Sequence, residues 1–483
     1  MLFNSINYFI FLTIFFLIYW LLLNKKIKSQ NLFIVISSYI FYSFWNWKFL
    51  SIIIFSTLID YTSGLLIYRE KRKLNKQLLL GLSILVNIGI LVTFKYYNFF
   101  IDNFILISSF FGLKTNLKSL EIILPVGISF YTFQTLSYSV DIYKNKLVPT
   151  KDLIAFSAFV SFFPQLVAGP IERATNFLTQ FYRKRDFNYL QVVDGLRQIL
   201  WGLFKKIVIA DNCSLFVDLI FNNSAQYSGS TLLLGSLFFS FQIYCDFSGY
   251  SDIAIGTSRI LGFNMQQNFN YPYFSKNILE FWNRWHISLT SWFRDYIYIP
   301  LGGNKSGLLI KIRNILYVFI LSGLWHGANW TFVFWGFLNS FYYVLYLFLI
   351  SKLKVTFNKI QNNFLLKVKE ALSISFTFTI ISFTWIFFRS DSLTHAIQFI
   401  SGILSFSLFT VPVFDGFNKS LLILLFIIIF TIIEWNGKKY KYAIEKTGEK
   451  WPRLFRWSFY SMLIYIIGMF TPSNELPFIY FQF

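Results

Sequence analysis

Apolar residues come in long runs along nearly the whole chain, divided by short polar or basic segments. Runs at about 8–23, 32–46, 49–68 and 78–100 approach the length that a helix needs to cross a hydrocarbon core of roughly 30 Å. A helix opens after Pro125, and a long one covers about 231–262. A span is predicted over 313–336, the next over about 333–350, and the last three over about 371–388, 420–435 and 458–472. No stretch keeps the strict alternation of a membrane β-barrel strand, so the fold class is all-α. The pattern predicts a polytopic membrane protein with about 10–13 transmembrane or re-entrant helices.

Two places interrupt this pattern. Pro164 and Pro170 break the run at 162–173, which ends in Glu172-Arg173. Broken backbone at membrane depth survives where protein or a wet cavity satisfies it, so a re-entrant segment is expected there. The stretch 271–312 carries Pro272, Pro300 and Gly302-Gly303 and cannot be a simple span. Amphipathic and re-entrant helices are predicted in it, with Glu280 and Arg284 at the four-residue spacing of a helical ion pair.

Polar residues inside the apolar runs need partners. Ser129, Thr132, Gln134, Ser137 and Ser139 suit either interhelical hydrogen bonds or a cavity wall, and both readings are open. Asp246 shares a helix face with Gly249, Tyr250 and Ile253, while Asp252 lies on another. The expected role of Asp246 is a structural partner for a nearby arginine.

Composition agrees with the pattern: 55% of the residues are hydrophobic, 22% aromatic and 13% charged. The net charge of +21 does not point to nucleic acid, because the lysines and arginines gather in short loops. Those loops are Lys25–Lys28, Arg69–Lys76, Arg183–Arg185, Lys352–Glu370 and Lys438–Arg456. By the positive-inside rule they are cytoplasmic, which leaves both termini outside. The first run has no basic residue ahead of it and no small-residue cleavage site, so it reads as a retained helix. No internal repeat or soluble boundary is visible, and 1–483 is expected to be one membrane domain. Cys213 and Cys245 have neither disulfide-framework nor metal spacing, so no metal site is expected.

The chain has three histidines. His286 and His326 sit in aromatic surroundings, whereas His395 falls in a predicted outer loop and in no motif. His326 lies thirteen residues beyond Arg313, roughly 20 Å along a helix and therefore deep in the bilayer. Imidazole titrates near neutrality and can take a proton from a hydroxyl, but a buried histidine can equally be a hydrogen-bonded core residue.

Three stretches carry a resemblance: Phe281-Trp282-Asn283-Arg284-Trp285-His286-Ile287-Ser288-Leu289, Arg294-Asp295-Tyr296-Ile297-Tyr298-Ile299-Pro300-Leu301-Gly302-Gly303 and Ser322-Gly323-Leu324-Trp325-His326-Gly327. With Asp246-Phe247-Ser248-Gly249-Tyr250-Ser251-Asp252 and Ala168-Gly169-Pro170-Ile171 upstream, the chain resembles the membrane-bound O-acyltransferase (MBOAT) family. The likeness is to its bacterial branch, which holds the alginate and peptidoglycan O-acetyltransferase membrane subunits. It runs from about 95 to 340, and the Ile-Pro-Leu-Gly-Gly form favours that branch over teichoic acid D-alanylation.

The resemblance implies helices around a central chamber in the bacterial inner membrane, with acetyl-CoA as a cytoplasmic donor and no bound cofactor. It implies His326 as the catalytic histidine and His286 as a second one, either catalytic or a structural support. Asp246, Glu280, Arg284, Trp285, Arg294, Asp295, Trp325 and Asn329 would support the donor funnel or the fold. Phe478-Ile479-Tyr480-Phe481-Gln482-Phe483 resembles an FxYxxF acyl-transfer motif, with Tyr480 as an acyl carrier; an interfacial aromatic anchor is the other reading. The chain has no Gly-Asp-Ser motif, so an exported SGNH-type acetyltransferase partner is expected to complete delivery to a polysaccharide. The other function classes are an exporter of a glycan or acyl donor and a D-alanyl-transferring relative. An exporter built on inverted repeats would show paired broken helices in both halves, which are not visible here.

Overall fold

A computed structural model describes residues 1–166, 169–305, 307–352, 363–472 and 478–479. Val167 and Ala168, and all of the tail 473–483 except Phe478 and Ile479, lie outside the described residues, Tyr480 among them. Every regular element among the described residues is a helix, and none is a strand. Among the described residues, seven helical stretches are long and apolar enough to cross a membrane: Ile27–Arg69, Lys73–Phe110, Gly229–Ile260, Leu308–His326, Trp330–Ile350, Phe364–Arg389 and Phe417–Gly437. Three shorter apolar helices, Ile6–Leu22, Leu153–Leu166 and Leu393–Ile403, accompany them.

Three sequence expectations need correction. The span 313–336 is two helices: Leu308–His326 ends at the histidine, and the chain restarts at Trp330. Gly327 permits the break, since a Cβ there would overlap the Phe332 ring, and Asn329 caps the next helix by accepting from Thr331 N–H at 3.0 Å. His395 stands in the helix Leu393–Ile403 rather than in a loop, hydrogen-bonded to Ser224 at 3.1 Å. Arg185 does not extend a basic surface loop. It is buried, donates to Gln30 and Asn31, and lies 4.8 Å from the Phe263 ring centroid.

The chain forms two compact units. The first comprises Met1–Leu196 and Ala254–Gln266. Its interior is organised by Asp60, which accepts from Ser83 at 2.7 Å, from Asn87 at 3.0 Å on both oxygens and from Ser139 at 3.3 Å. Gln134 donates to Phe159 O at 2.8 Å and pairs with Gln165. Gln134 and Ser139 of Ile128–Tyr143 thus make interhelical hydrogen bonds, the first of the two open readings, while Ser137 donates to Gln134 O within its own helix. The broken run at 162–173 holds one helical turn, Phe163–Leu166, and the buried Glu172 accepts from Gln266 N–H at 2.6 Å.

The second unit comprises Arg197–Ile253 and Gln267–Phe483. Its central hairpin is Leu308–His326 against Trp330–Lys352. Glycines permit the close approach: a Cβ on Gly323 would strike the carbonyl of Phe332, and one on Gly336 that of Phe319. A second organising element is the π-helical turn Phe204–Ala210, which presents two successive lysines to the interior.

Candidate active site

In the stretch 271–312, short helices replace a span. Asn277 caps Ile278–Arg284 by accepting from Glu280 N–H at 2.9 Å, and Glu280 pairs with Arg284 at 2.5 Å, as the spacing predicts. The helix ends at Trp285, and His286 turns the chain with φ +44° into Ile287–Phe293. Left-handed backbone is uncommon for a non-glycine residue and recurs at functional sites.

The turn is held from outside itself. Ile287 N–H donates to Asn268 O at 2.9 Å, and Ser288 Oγ donates to Asn268 Oδ1 at 2.7 Å. The same amide oxygen lies 3.2 Å from His286 Nδ1. An amide oxygen can only accept, so Nδ1 carries the proton and Nε2 is the basic nitrogen. Burial holds this imidazole down at about 3, so it is neutral near pH 7.

His326 ends the helix Leu308–His326 and is buried in an aromatic cage. Its ring centroid lies 4.9 Å from that of Trp325, 5.4 Å from Trp335 and 5.3 Å from Phe388. Trp325 also meets His286, at 5.8 Å.

Both histidines line one cavity of about 420 Å³. Lys311, Ile315, Ser322 and His326 all face it, at spacings that keep one side of a helix. From Lys311 to His326 that side runs roughly 22 Å. Trp282, Trp285, Leu289 and Phe293 form apolar wall opposite, and Arg294 joins Lys311 in the lining. The result is a long apolar pocket with two cations and two imidazoles in its wall.

The structure separates the expected support residues. Trp285 and Arg294 line the cavity; Asp246, Glu280, Arg284, Asp295, Trp325 and Asn329 are outside its lining. Asp295 holds Arg294 at 2.7 Å, and Asn329 caps Trp330–Lys352 while donating to Asp391 O at 3.0 Å. The partner of Asp246 is a lysine, Lys206, at 2.7 Å, and not an arginine. A flexible ammonium with three donors can serve two carboxylates, and Lys206 also reaches Asp211 at 2.7 Å. Sequence reasoning missed Lys311 and Tyr343 in the cavity lining, gave no site role to Tyr298 and Ser322 although both stand in the motifs, and missed Lys205-Lys206 inside an apolar run.

A family model, MBOAT, membrane-bound O-acyltransferase family, matches residues 39–388. The protein named "Probable alginate O-acetylase AlgI" from Azotobacter vinelandii is 36% identical over 450 residues, covering 92% of this chain and 86% of that protein. A peptidoglycan O-acetyltransferase from Helicobacter pylori is 36% identical over 431 residues, 83% of this chain and 79% of the relative. A teichoic acid D-alanyltransferase from Bacillus subtilis is more distant, 28% identical over 282 residues, 56% of this chain and 70% of the relative. With the family model matching most of the chain, and with relatives this similar over most of their own length, the protein belongs to the membrane-bound O-acyltransferase family and is a multi-pass membrane O-acyltransferase.

Proposed function

We propose that this enzyme takes acetyl from cytoplasmic acetyl-CoA, carries it across the bacterial inner membrane, and supplies it for O-acetylation of an exported or cell-wall polysaccharide. The observation that carries the reading is the cavity running along one side of Leu308–His326, with Lys311 and Arg294 in its wall and His326 at the helix end. A donor with phosphates at one end, a thin flexible arm and a thioester at the other suits that layout. The identities to an alginate O-acetylase and a peptidoglycan O-acetyltransferase support acetyl as the group and a glycan as its destination. D-Alanyl transfer is less well supported, because that relative is less similar and covers less of the chain.

In this reading His326 is the general base. It takes the proton of an acceptor hydroxyl as the oxygen attacks the acetyl carbonyl; the carbon–sulfur bond breaks, the ester forms, and the departing thiolate receives the proton. The acceptor is the Tyr480 phenol, whose aryl ester passes acetyl on to an exported SGNH-type partner and thence to sugar. His286, neutral near pH 7, offers Nε2 as a hydrogen-bond acceptor and serves to orient donor or acceptor. Both termini lie on the extracytoplasmic side.

The test is incubation of the purified protein with acetyl-labelled acetyl-CoA, followed by mass spectrometry of the C-terminal peptide. Label on Tyr480 that is lost in His326→Ala and Tyr480→Phe is the expected result. Turnover that needs His326 but survives Tyr480→Phe unchanged rules out the relay and keeps the enzyme. Labelling that persists in His326→Ala overturns the role of that histidine.

A further inference from the structure

Four buried carboxylates of the second unit, Asp211, Asp246, Asp252 and Glu434, gather near two buried lysines and lie outside the cavity already described. The π-helical turn Phe204–Ala210 gives each lysine its own partners. Lys205 reaches Asp252 at 2.6 Å and Ser248 at 2.9 Å, and Gln198 donates to the other Asp252 oxygen at 2.7 Å. Lys206 is shared, at 2.7 Å to Asp211 and 2.7 Å to Asp246. One ammonium between two buried carboxylates leaves each short of donors, and an ionised buried oxygen without a donor is costly.

For Asp246 the further donor comes from the far end of the chain. Ile479 N–H donates to Asp246 Oδ2 at 2.7 Å. The two tail residues there are enclosed, Phe478 at 0% and Ile479 at 2% exposure. Phe478 packs at 4.7 Å against Tyr250 and 5.7 Å against Phe247. Tyr250 in turn lies over Lys206 at 5.3 Å, and Phe247 meets His286 edge-on at 4.6 Å. The tail therefore has a charged backbone anchor and an aromatic seat, one ring away from a histidine of the reaction cavity.

We infer that Asp246, fixed by Lys206, is a positioning residue that receives the backbone of the C-terminal tail and sets the register in which the tail is presented to the reaction cavity. A backbone N–H is bound whatever the side chain, so Asp246 fixes where the tail stops and Phe478 fixes which residue stops there. The docking stands on these contacts alone; its use in acyl transfer rests on the reading that Tyr480, the next residue in sequence, carries acetyl.

The experiment is amide hydrogen exchange on the full-length protein, read by mass spectrometry of the peptide after Phe470, without acetyl-CoA. Two variants remove one side of the bond each. Asp246→Ala deletes the acceptor and leaves Lys206 paired with Asp211; Ile479→Pro deletes the donor and leaves the buried charges untouched. Asp246→Ala should speed exchange at Ile479, and both variants should speed it at the enclosed Phe478, by about tenfold to a hundredfold, the worth of a hydrogen bond to a charged group. Asp246→Asn keeps an acceptor oxygen and should retain most of the protection. In acetyl transfer, Ile479→Pro should lower the rate onto the tail without raising KM for acetyl-CoA, a split that a loss of fold would not give. Wild-type exchange in Ile479→Pro, or in a folded Asp246→Ala protein, overturns the inference. Protection that behaves as expected while Tyr480 never acquires acetyl keeps the dock and rejects the relay.

Discussion

Asn268 grips His286 through a single oxygen, which sits 3.2 Å from the imidazole Nδ1 and 2.7 Å from Ser288 Oγ. That oxygen fixes a tautomer and a ring direction, while the main-chain carbonyl of the same residue accepts from Ile287 N–H at 2.9 Å and braces the left-handed turn at φ +44°. Asn268→Leu removes the side-chain acceptor, and with it the fixed tautomer and ring direction, while the Ile287 N–H to Asn268 O bond remains. It should lower transfer by at least tenfold, whereas Asn268→Asp keeps an acceptor and should cost less. Initial rates of both variants with acetyl-CoA decide between them; equal loss in the two would refute the orienting role.

The same histidine makes a prediction about acid. Burial holds it at about 3 in the folded protein, against an ordinary value near 6.5. Between those values the unfolded chain binds a proton that the folded chain does not. Stability from this site is therefore complete above pH 6.5 and declines as pH falls towards 3. Thermal unfolding in detergent across that window should steepen towards acid in the wild type and be flatter in His286→Gln. Superimposable profiles would show that His286 is not the titrating group.

Lys311 and Arg294 line the same cavity as His326, Lys311 about four helical turns before it on Leu308–His326. If they meet phosphates, their alanine variants should raise KM for acetyl-CoA by about tenfold with kcat little changed, the mark of binding lost equally in ground and transition states. The defect should shrink at high salt, where wild-type binding weakens too. A fall in kcat at constant KM would assign these cations to the chemical step.

Lys205 and Asp252 are a buried pair at 2.6 Å. Lys205→Met strands a carboxylate and should destabilise the protein by about 3–5 kcal/mol. Lys205→Met with Asp252→Leu should recover much of that loss. Midpoints of thermal unfolding for the two single variants and the double one complete the cycle; a double variant no better than the singles would mean that the pair is not the unit.

Gly323 lies where a Cβ would meet the backbone of Phe332. Gly323→Ala should push the two hairpin helices apart, cost about 1–3 kcal/mol, and disturb the His326 cage three residues further on. Gly89, inside the helix Lys73–Leu91 with open space around it, is the control, and Gly89→Ala should cause no loss of stability in the same unfolding assay.

Much of this site could be read from the chain because polar residues stand out in hydrocarbon. His286, His326, Arg294 and the Glu280–Arg284 spacing are such residues, and they fall in or beside one cavity or pair as their spacing suggests. The break after His326 was less legible. Gly327-Ala328-Asn329 is too short to interrupt a hydropathy run, although Asn329 ahead of Trp330 and Thr331 carries the signal of an N-cap. Lys205-Lys206 escaped notice because periodicity assumes an α-helical turn, and a π-turn places successive residues where that count does not. The partner of Asp246 was beyond any local pattern. The lysine is 40 residues away and the tail amide 233, and that proximity is created by the fold alone.

The π-turn at Phe204–Ala210 makes chain length, more than residue identity, the fragile variable of this segment. A π-turn behaves as one residue added to a regular helix. Deleting any one residue there would relax the turn to an ordinary α-helix and rotate everything beyond it by roughly 100° relative to what precedes it. The two lysines could then no longer both face their carboxylates, even with every charged side chain still encoded. A substitution in this stretch is a local edit, while a single-codon deletion resets the phase of the helix for all that follows. Among related chains, 204–210 should therefore drift in sequence, its two lysines apart, sooner than it changes in length.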